Sequence, residues 1–557
     1  MLNYKRYVKN PVEHYPEREW PNKEIERAPI WCSVDLRDGN QALIDPMVVE
    51  EKIEMFEFLV KLGFKEIEVG FPAASQIEYD YCRQLIERKL IPDDVKIQVL
   101  TQCREELIDR TFEAIEGCKQ AIVHIYNSTS VLQRDVVFNK NKEEIKQIAI
   151  DGTNMVKERA AKFDGKIILE YSPESFTGTE LDYALEVCEA VTATWGATKE
   201  DPVIINLPST VEMTTPNVFA DRIEWFLKHV SDRESIILSV HPHNDRGTGV
   251  ATAELSLLAG AQRVEGTLFG NGERTGNVDV LNIAYNMFSQ GIDPQLHIEH
   301  INEIIEIYER CCKIPIHPRH PYAGKLVFTA FSGSHQDAIN KGVKAMKDRG
   351  SEIWQVPYLP IDPADIGREY EPIVRINSQS GKGGVAFVMD TYFGFKLPKG
   401  MHKEFANVIQ LISEKQGEVS PDQIMEKFRE EYLEQKEPLH FRKLHVVDLS
   451  GETESEFDTK VTVVYTDEGV EKSFDAVGNG PIDAVKRGLQ ETLGVRIKVL
   501  DYEEHALQSG SNSQAAAYIH LLASDEGKVT YGVGVSSNIT RASVRAMFSA
   551  LNRLHIR

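Results

Sequence analysis

The sequence predicts an α/β protein built on a (β/α)8 TIM barrel, followed by a helical linker region and a C-terminal α+β module. Three observations carry this. From Ala28 onward short apolar strands alternate with longer amphipathic stretches. The alternation gives eight strand-helix pairs within roughly 290 residues, the size of one such barrel. Polar motifs close nearly every strand at the same end, where a barrel of this kind gathers its functional groups.

Taken in order, residues 1 to about 28 are polar, carry Pro11, Pro16 and Pro21, and read as an extended arm lying on another part of the molecule. Strands are predicted at 30–34, 66–69, 95–100, 121–125, 167–171, 203–207, 236–240 and 263–268. Each is a short apolar run, as a parallel strand buried on both faces should be. Helix-length segments such as 48–62 and 181–193 separate them. After about residue 320 the alternation stops. His320-Pro-Tyr-Ala-Gly, Ala330-Phe-Ser-Gly-Ser-His-Gln-Asp-Ala-Ile, Val356-Pro-Tyr-Leu-Pro-Ile-Asp-Pro and Arg375-Ile-Asn-Ser-Gln-Ser-Gly-Lys-Gly-Gly mark a mainly helical region. It ends with a charged amphipathic segment at 421–438. The expected domains are an arm (1–28), a barrel (29–320), helical linker subdomains (321–438) and a C-terminal domain (439–557).

That last region holds an internal repeat. Thr466-Asp-Glu-Gly returns as Ser524-Asp-Glu-Gly, 58 positions later, and the same offset aligns Val477 with Val535, Ala484 with Ala542 and Leu489 with Met547. Each copy reads as three strands, a small-residue turn and a helix, so a duplicated βββα module is expected. Ala515-Ala-Ala would let a ligand or a second chain approach closely. A binding or assembly role fits this region; a purely dimerising module is the alternative.

The totals narrow the class. A chain of 557 residues exceeds what one core supports. Hydrophobic residues make up 42% and charged ones 27%, the balance of a water-soluble protein. No apolar run approaches the ~20 residues of a membrane span, and the N-terminus has no secretory h-region. Cys32, Cys82, Cys103, Cys118, Cys188, Cys311 and Cys312 lack metal-type spacing and read as reduced thiols, so a cytoplasmic location is expected. Cys311 and Cys312 are expected to be inert, buried in a helix. A formal charge of -23 argues against nucleic acid and anionic membranes as partners. A small anionic substrate stays open, because a bound cation supplies the local positive charge.

The chemistry sits at the strand ends. Asp35-Leu-Arg-Asp-Gly-Asn-Gln follows strand one, Glu68-Val-Gly-Phe-Pro strand two, and His124-Ile-Tyr-Asn-Ser-Thr-Ser strand four. Glu170-Tyr-Ser-Pro-Glu-Ser follows strand five, Asn206-Leu-Pro-Ser-Thr strand six, and Ser239-Val-His-Pro-His-Asn-Asp-Arg strand seven. Phe269-Gly-Asn-Gly-Glu-Arg-Thr-Gly-Asn ends strand eight. Side chains alternate on a strand, so His241 and His243 share a face. Two such imidazoles form half of a divalent-metal site. Asp38 is the best placed carboxylate to complete it, with Asn271 nearby, leaving positions open for substrate oxygens. Two hydrogen-bonded structural histidines are the alternative. A 2-oxo acid would chelate such a metal, and Arg37 would balance charge as its carbonyl becomes an alkoxide. Glu68, Glu170 and Thr210 could orient the substrate.

These blocks, with Phe331-Ser-Gly-Ser-His-Gln-Asp-Ala-Ile-Asn, resemble the metal-dependent condensing enzymes that include isopropylmalate, homocitrate and citramalate synthases and the hydroxymethylglutaryl-CoA lyases. The resemblance runs from about Ala28 to the C-terminus. It points to the long branch that condenses acetyl-CoA with 3-methyl-2-oxobutanoate, hydrolyses the thioester, and opens leucine biosynthesis under feedback by leucine. It implies Asp38, His241 and His243 as metal ligands with Asn271 at or beside the ion. That ion is expected to be magnesium, with manganese or zinc as alternatives and potassium as an activator. It implies that Arg37 polarises the keto oxygen and that His124 and Thr210 hold the oxo acid. Glu170, or His335 with Tyr358, would be the base that deprotonates the acetyl methyl. The last two would act on the barrel of the neighbouring subunit, making a homodimer obligatory. Gly272 and Arg274 would contact CoA. Gly478, Asn479, Gly480, Ile482, Ala484 and Ala517 would contact leucine. The competing readings are a sister synthase with another oxo acid and a leucine-binding regulator without activity.

Overall fold

The computed structural model describes residues 15–330, 333–370, 382–416, 419–449, 459–507, 513–523 and 527–555. Pro11, the Phe331-Ser pair, the stretch from Arg375 to Gly381 and the Ser524-Asp-Glu segment lie outside them. The chain divides into two compact units, Met1–Phe328 with Ile361–Glu369, and Thr329–Pro360 with Tyr370–Arg557.

The first unit is a closed barrel of eight parallel strands in chain order. Its first half runs β1 (Ile30–Ser33), α1 (Val49–Lys61), β2 (Glu66–Gly70), α2 (Gln76–Glu87), β3 (Lys96–Gln102), α3 (Glu105–Ile115), β4 (Gln120–Ser128) and α4 (Lys142–Ala160). The second runs β5 (Lys166–Glu174), α5 (Leu181–Trp195), β6 (Val203–Ser209), α6 (Pro216–His229), β7 (Ile236–Pro242), α7 (Gly249–Leu258), β8 (Arg263–Gly266) and α8 (Val280–Ser289). All eight expected strands are present. β4 and β5 run further than expected because their ladder continues through the polar ends, from His124 beside Glu170 to Ser128 beside Glu174. β8 stops at Gly266, earlier than expected, where the chain turns into the Leu268–Gly270 loop.

Side-chain caps start two of the barrel helices. The Ser75 hydroxyl accepts from the Glu78 amide to cap α2, and Asn141 and Glu144 form a reciprocal cap on α4. α1 turns Ile53, Phe56 and Leu59 inward. The arm, described from Tyr15, lies along α6: the buried Trp20 indole donates to Asp221 at 2.8 Å, and the Glu19 amide donates to Glu224. A further helix, α9 (Ile301–Cys312), buries Cys311 and Cys312. The seven cysteines are free, and burial holds thiols such as Cys82, pushed up to about 12, in the unreactive form.

The second unit starts with α10 (Gly333–Arg349), α11 (Lys382–Phe393), α12 (Lys399–Gln416) and α13 (Pro421–Phe428). The first repeat follows as β9 (Leu439–Asp448), β10 (Thr459–Asp467), β11 (Val470–Gly478) and α14 (Pro481–Leu493). The second is β12 (Ile497–Ala506), β13 (Ala515–Ala523), β14 (Val529–Ser536) and α15 (Ile539–Arg553). The 58-residue offset carries β9 onto β12 end for end. Both sheets are three-stranded and antiparallel, with β10 and β13 central.

The two copies share one apolar core, including Val461, Val463, Leu489, Ile519, Val544 and Leu551. Their outer faces differ. In the second sheet Ala516, Tyr518, Tyr531 and Val533 pack under Met389, Phe405 and Phe428 of α11, α12 and α13. The matching positions in the first sheet, Lys460, Ser473 and Asp475, are exposed. So the helices expected as a separate linker are cored together with the strands beyond residue 438. Ala515-Ala-Ala, expected to meet a ligand or second chain, is covered on both faces by its own chain through Ala516 and Ala517.

Close contact between α15 and β14 depends on glycine. A Cβ on Gly534 would lie 2.1 Å from the Ala542 carbonyl oxygen. Gly534→Ala is therefore expected to push α15 outward and cost about 1–3 kcal/mol. A lower urea midpoint for the second unit would register it; an unchanged midpoint would mean that this contact yields freely.

Candidate active site and metal centre

Two strand ends, β1 and β7, separated in the closed barrel by β8, build the site. After β1 the chain forms a wide turn over Asp35–Gly39, closed by the Gly39 amide on the Val34 carbonyl at 3.1 Å. Asp35 anchors it from below, accepting from the Leu268 amide at 3.0 Å and the Ser33 hydroxyl at 2.8 Å. Burial pushes its carboxyl up to about 7, although these bonds oppose the shift. Anchored this way, the turn delivers Arg37 and Asp38 to the barrel mouth.

His241 and His243 arrive from β7, and both imidazoles are buried. Their Nε2 atoms lie 3.4 and 3.7 Å from Asp38 Oδ2. That oxygen is buried and accepts no hydrogen bond, and one donor atom from each residue falls within a 4.8 Å group. A desolvated carboxylate oxygen facing two imidazole nitrogens is costly unless a cation joins them. The donor set therefore fits a divalent ion.

Burial and neighbouring charges shift all three groups. Burial would raise the Asp38 carboxyl, but the Arg37 guanidinium and then His241 outweigh it and hold it well below the usual carboxylate range. Burial would lower His241, but the Asp38 and Glu265 carboxylates lift it to about 9. His243, penalised by burial and by its neighbour His241, falls to about 4.

Beneath the mouth lies a fully buried polar layer. Glu68 accepts from Arg37 and, at 3.0 Å, from His124. His124 Nε2 meets the Ser172 hydroxyl at 2.7 Å. Burial would raise Glu68, but Arg37 and His124 lower it. Glu68, His124 and Glu265 also converge within 4.8 Å, but the Gln98 amide nitrogen already donates to both carboxylates there. Glu170 differs from its neighbours. It is fully buried, neither oxygen has a hydrogen-bond partner, and burial pushes its carboxyl well up despite Arg263 at 3.4 Å.

Above this layer opens a cavity of about 320 Å3. Arg37, Asp38, His124, Thr210, His241, His243 and Arg274 line it, which brings seven of the expected residues together. Glu68 and Glu170 lie in the buried layer instead. Asn271 sits behind the β1 turn, its amide donating to the Gly39 carbonyl at 3.0 Å. Gly272 faces Asn277, whose amide nitrogen would be 2.4 Å from an added Cβ. Arg274 bonds Asp245 at 2.6 Å and the Thr210 carbonyl at 2.6 Å.

His335 and Tyr358 belong to the second unit, their rings 4.2 Å apart. Tyr358 is 63% exposed and holds a left-handed φ of 66°. Gly478, Asn479 and Gly480 form the turn before α14, where the Asn479 amide donates to Asp483. Ile482 is partly buried, and Ala484 and Ala517 are core residues.

Sequence reasoning passed over Phe71, Leu100, Tyr126, Ser172, Glu174 and Pro208, which also line the cavity. The signal was strand alternation. Tyr126 is two residues beyond His124; Ser172 and Glu174 are two and four beyond Glu170.

Comparison with known proteins completes the description. A family model described as HMGL-like matches residues 28–307. The alpha-isopropylmalate synthase post-catalytic domain matches 325–390, and the LeuA allosteric (dimerisation) domain matches 418–555. The chain is 57% identical over 554 residues to a 2-isopropylmalate synthase of Clostridium acetobutylicum, covering 99% of each. It is 53% identical over 555 residues to one of Rhodospirillum rubrum, covering 99% of this chain and 98% of that one. A solved hydroxymethylglutaryl-CoA lyase from Pseudomonas aeruginosa aligns at 20% identity and a TM-score of 0.42, over 52% of this chain and 93% of that one.

Proposed function

The chain belongs to the 2-isopropylmalate synthase family, and on that premise we propose that its barrel condenses acetyl-CoA with 3-methyl-2-oxobutanoate and hydrolyses the thioester, giving 2-isopropylmalate and CoA. The observation that carries this reading is one cavity holding Asp38, His241 and His243 together with Arg37 and Glu174.

Asp38, His241 and His243 would hold the divalent ion, magnesium first, with manganese or zinc as alternatives and potassium as an activator. When bound, such an ion polarises the keto group of an oxo acid and makes its carbon electrophilic. Arg37, fixed by Glu68 and Asp38, stands where negative charge builds on that oxygen. Phe71, Leu100, Tyr126 and Pro208 supply an apolar wall for a branched side chain. Thr210 and His124 orient the acid, and Arg274 at the rim suits the phosphates of CoA. Gly272, enclosed by Asn277, shapes the loop that carries it.

The base must reach the cavity and be ionised. Glu174 lines the cavity. Glu170 is sealed in the buried layer below, where burial pushes its carboxyl up, so the base role is placed on Glu174, which reaches the cavity. His335 and Tyr358 act at the barrel of a partner subunit in a homodimer. Their tilted ring contact, their exposure and the strained Tyr358 backbone support a site awaiting a counterpart. The loop after β4 leaves Val131, Leu132, Val136, Val137 and Phe138 between 39% and 69% exposed, an apolar rim suited to a second copy.

Leucine regulation belongs to the duplicated module, matched as the LeuA allosteric domain. The turn Gly478–Gly480 is the proposed contact, with Ile482 beside it and Ala484 and Ala517 shaping it from the core. Nothing lies within 4 Å of a Cβ built on Gly480. Gly480→Val is expected to leave uninhibited turnover in place and weaken leucine inhibition by about tenfold, the equivalent of one lost apolar contact. An unshifted leucine response would move the effector site elsewhere. No described helix is long and apolar enough to cross a membrane, in keeping with work in the cytoplasm.

Thiol release from acetyl-CoA across a panel of 2-oxo acids, with magnesium or manganese and with or without leucine, tests the whole reading. Preference for 3-methyl-2-oxobutanoate, reduced by leucine, is the expected result. Preference for pyruvate or 2-oxoglutarate would assign a sister reaction. No release with any acid would leave a regulator.

A further inference from the structure

One face of the metal site is tied to a charge network that runs the depth of the barrel. Lys96 donates to Glu66 at 2.9 Å, and Arg263 donates to the other Glu66 oxygen at 2.6 Å. Arg263, fully buried, also reaches Glu265 at 2.9 Å, Ser239 at 2.9 Å and Gln98 at 2.6 Å. Glu265 then meets His241 Nδ1 at 2.7 Å. It accepts as well from Gln98 at 2.9 Å and Asn206 at 3.1 Å.

Hydrogen-bond bookkeeping fixes the protons along this path. Gln98 presents its oxygen to Arg263, which can only donate, so its nitrogen faces the two glutamates. Glu265 receives N–H donors from Arg263, Gln98 and Asn206 and so faces His241 as an acceptor; His241 Nδ1 therefore carries a hydrogen and its Nε2 is the atom turned to Asp38. His243 has no such support: its Nδ1 is buried without a hydrogen-bond partner.

We infer that Glu265 is a positioning residue for the metal ligand His241, held by Arg263, Gln98 and Asn206 so that Nε2 is presented to the ion. Binding then needs no reorientation of this ring. The inference rests on the reading that Asp38, His241 and His243 hold a divalent ion. Glu66 supplies the control, because it carries the same charge and the same Arg263 contact but does not touch His241.

The test is manganese titration of the full chain after removal of metal, with free Mn2+ counted by electron paramagnetic resonance. Glu265→Gln is expected to weaken binding roughly 10–100-fold, the usual size of such an outer-shell loss. Glu66→Gln should stay within about threefold of the unaltered protein. Equal binding by Glu265→Gln overturns the inference, and so does an equal loss in both variants, which would mark a purely structural network. If Glu265→Gln does not fold, Glu265→Asp replaces it; the charge is kept, the reach is shorter, and the same loss is expected. Failure of the underlying reading looks different: the unaltered protein would bind no Mn2+, or Asp38→Asn would bind it unchanged.

Discussion

Asp38→Asn is expected to lower kcat/KM for thiol release by about 10³-fold or more, because it removes the carboxylate that completes the ion's donor set. The geometry explains why this position has no understudy. Among the described residues Asp38 Oδ2 is the carboxylate oxygen paired with both imidazole Nε2 atoms, and Glu68 and Glu265 are already committed to donors beneath the mouth. The fold should survive, since an asparagine keeps the shape and the Asp35 anchor of the turn is untouched. Thiol release and Mn2+ binding, measured on a variant with an unchanged circular dichroism spectrum, check it. Turnover persisting at saturating metal would refute the ligand assignment.

The second large effect separates two glutamates four residues apart. Glu174→Gln is expected to cut kcat by about 10²–10⁴-fold, the range for loss of a positioned base. Glu170→Gln should stay within about tenfold of the unaltered enzyme, because Glu170 is sealed beneath the cavity and does not line it. Measuring proton exchange from the acetyl methyl beside overall turnover isolates the step concerned. The opposite ranking would return the base role to the buried position and leave Glu174 as a wall of the cavity, bonded to Ser128.

The barrel was legible because parallel strands covered on both faces must be continuous apolar runs, and eight of them recur at helix spacing. The metal triad was legible because a barrel collects its strand ends at one pole, whatever their separation in sequence. Depth was not legible. Alternation puts Glu170, Ser172 and Glu174 on one side of β5, yet each step of two moves about 6.6 Å along the strand. The first is thus sealed and the third reaches the cavity. Arg263 and Glu265 were hidden for a related reason. They precede the conspicuous glycine-rich block, and charges within a near-apolar strand announce a buried network without naming its partners. Ala515-Ala-Ala suggested close approach, but the apolar run it forms with Tyr518 and Ile519 was the sign of cover on both faces.

That cover bears on how the repeat was inherited. Duplication makes two copies with one set of constraints, but here only the later copy took on helices over its outer face. The uncovered face of the first copy accommodates lysine, serine and aspartate, while the covered face of the second requires alanine, tyrosine and valine. Ancestry persists where both copies still answer to the same neighbours, in the shared interior and the tight turns. A search for the common ancestor of the two halves should therefore weigh inward positions alone, because the outward ones record a division of labour that came afterwards.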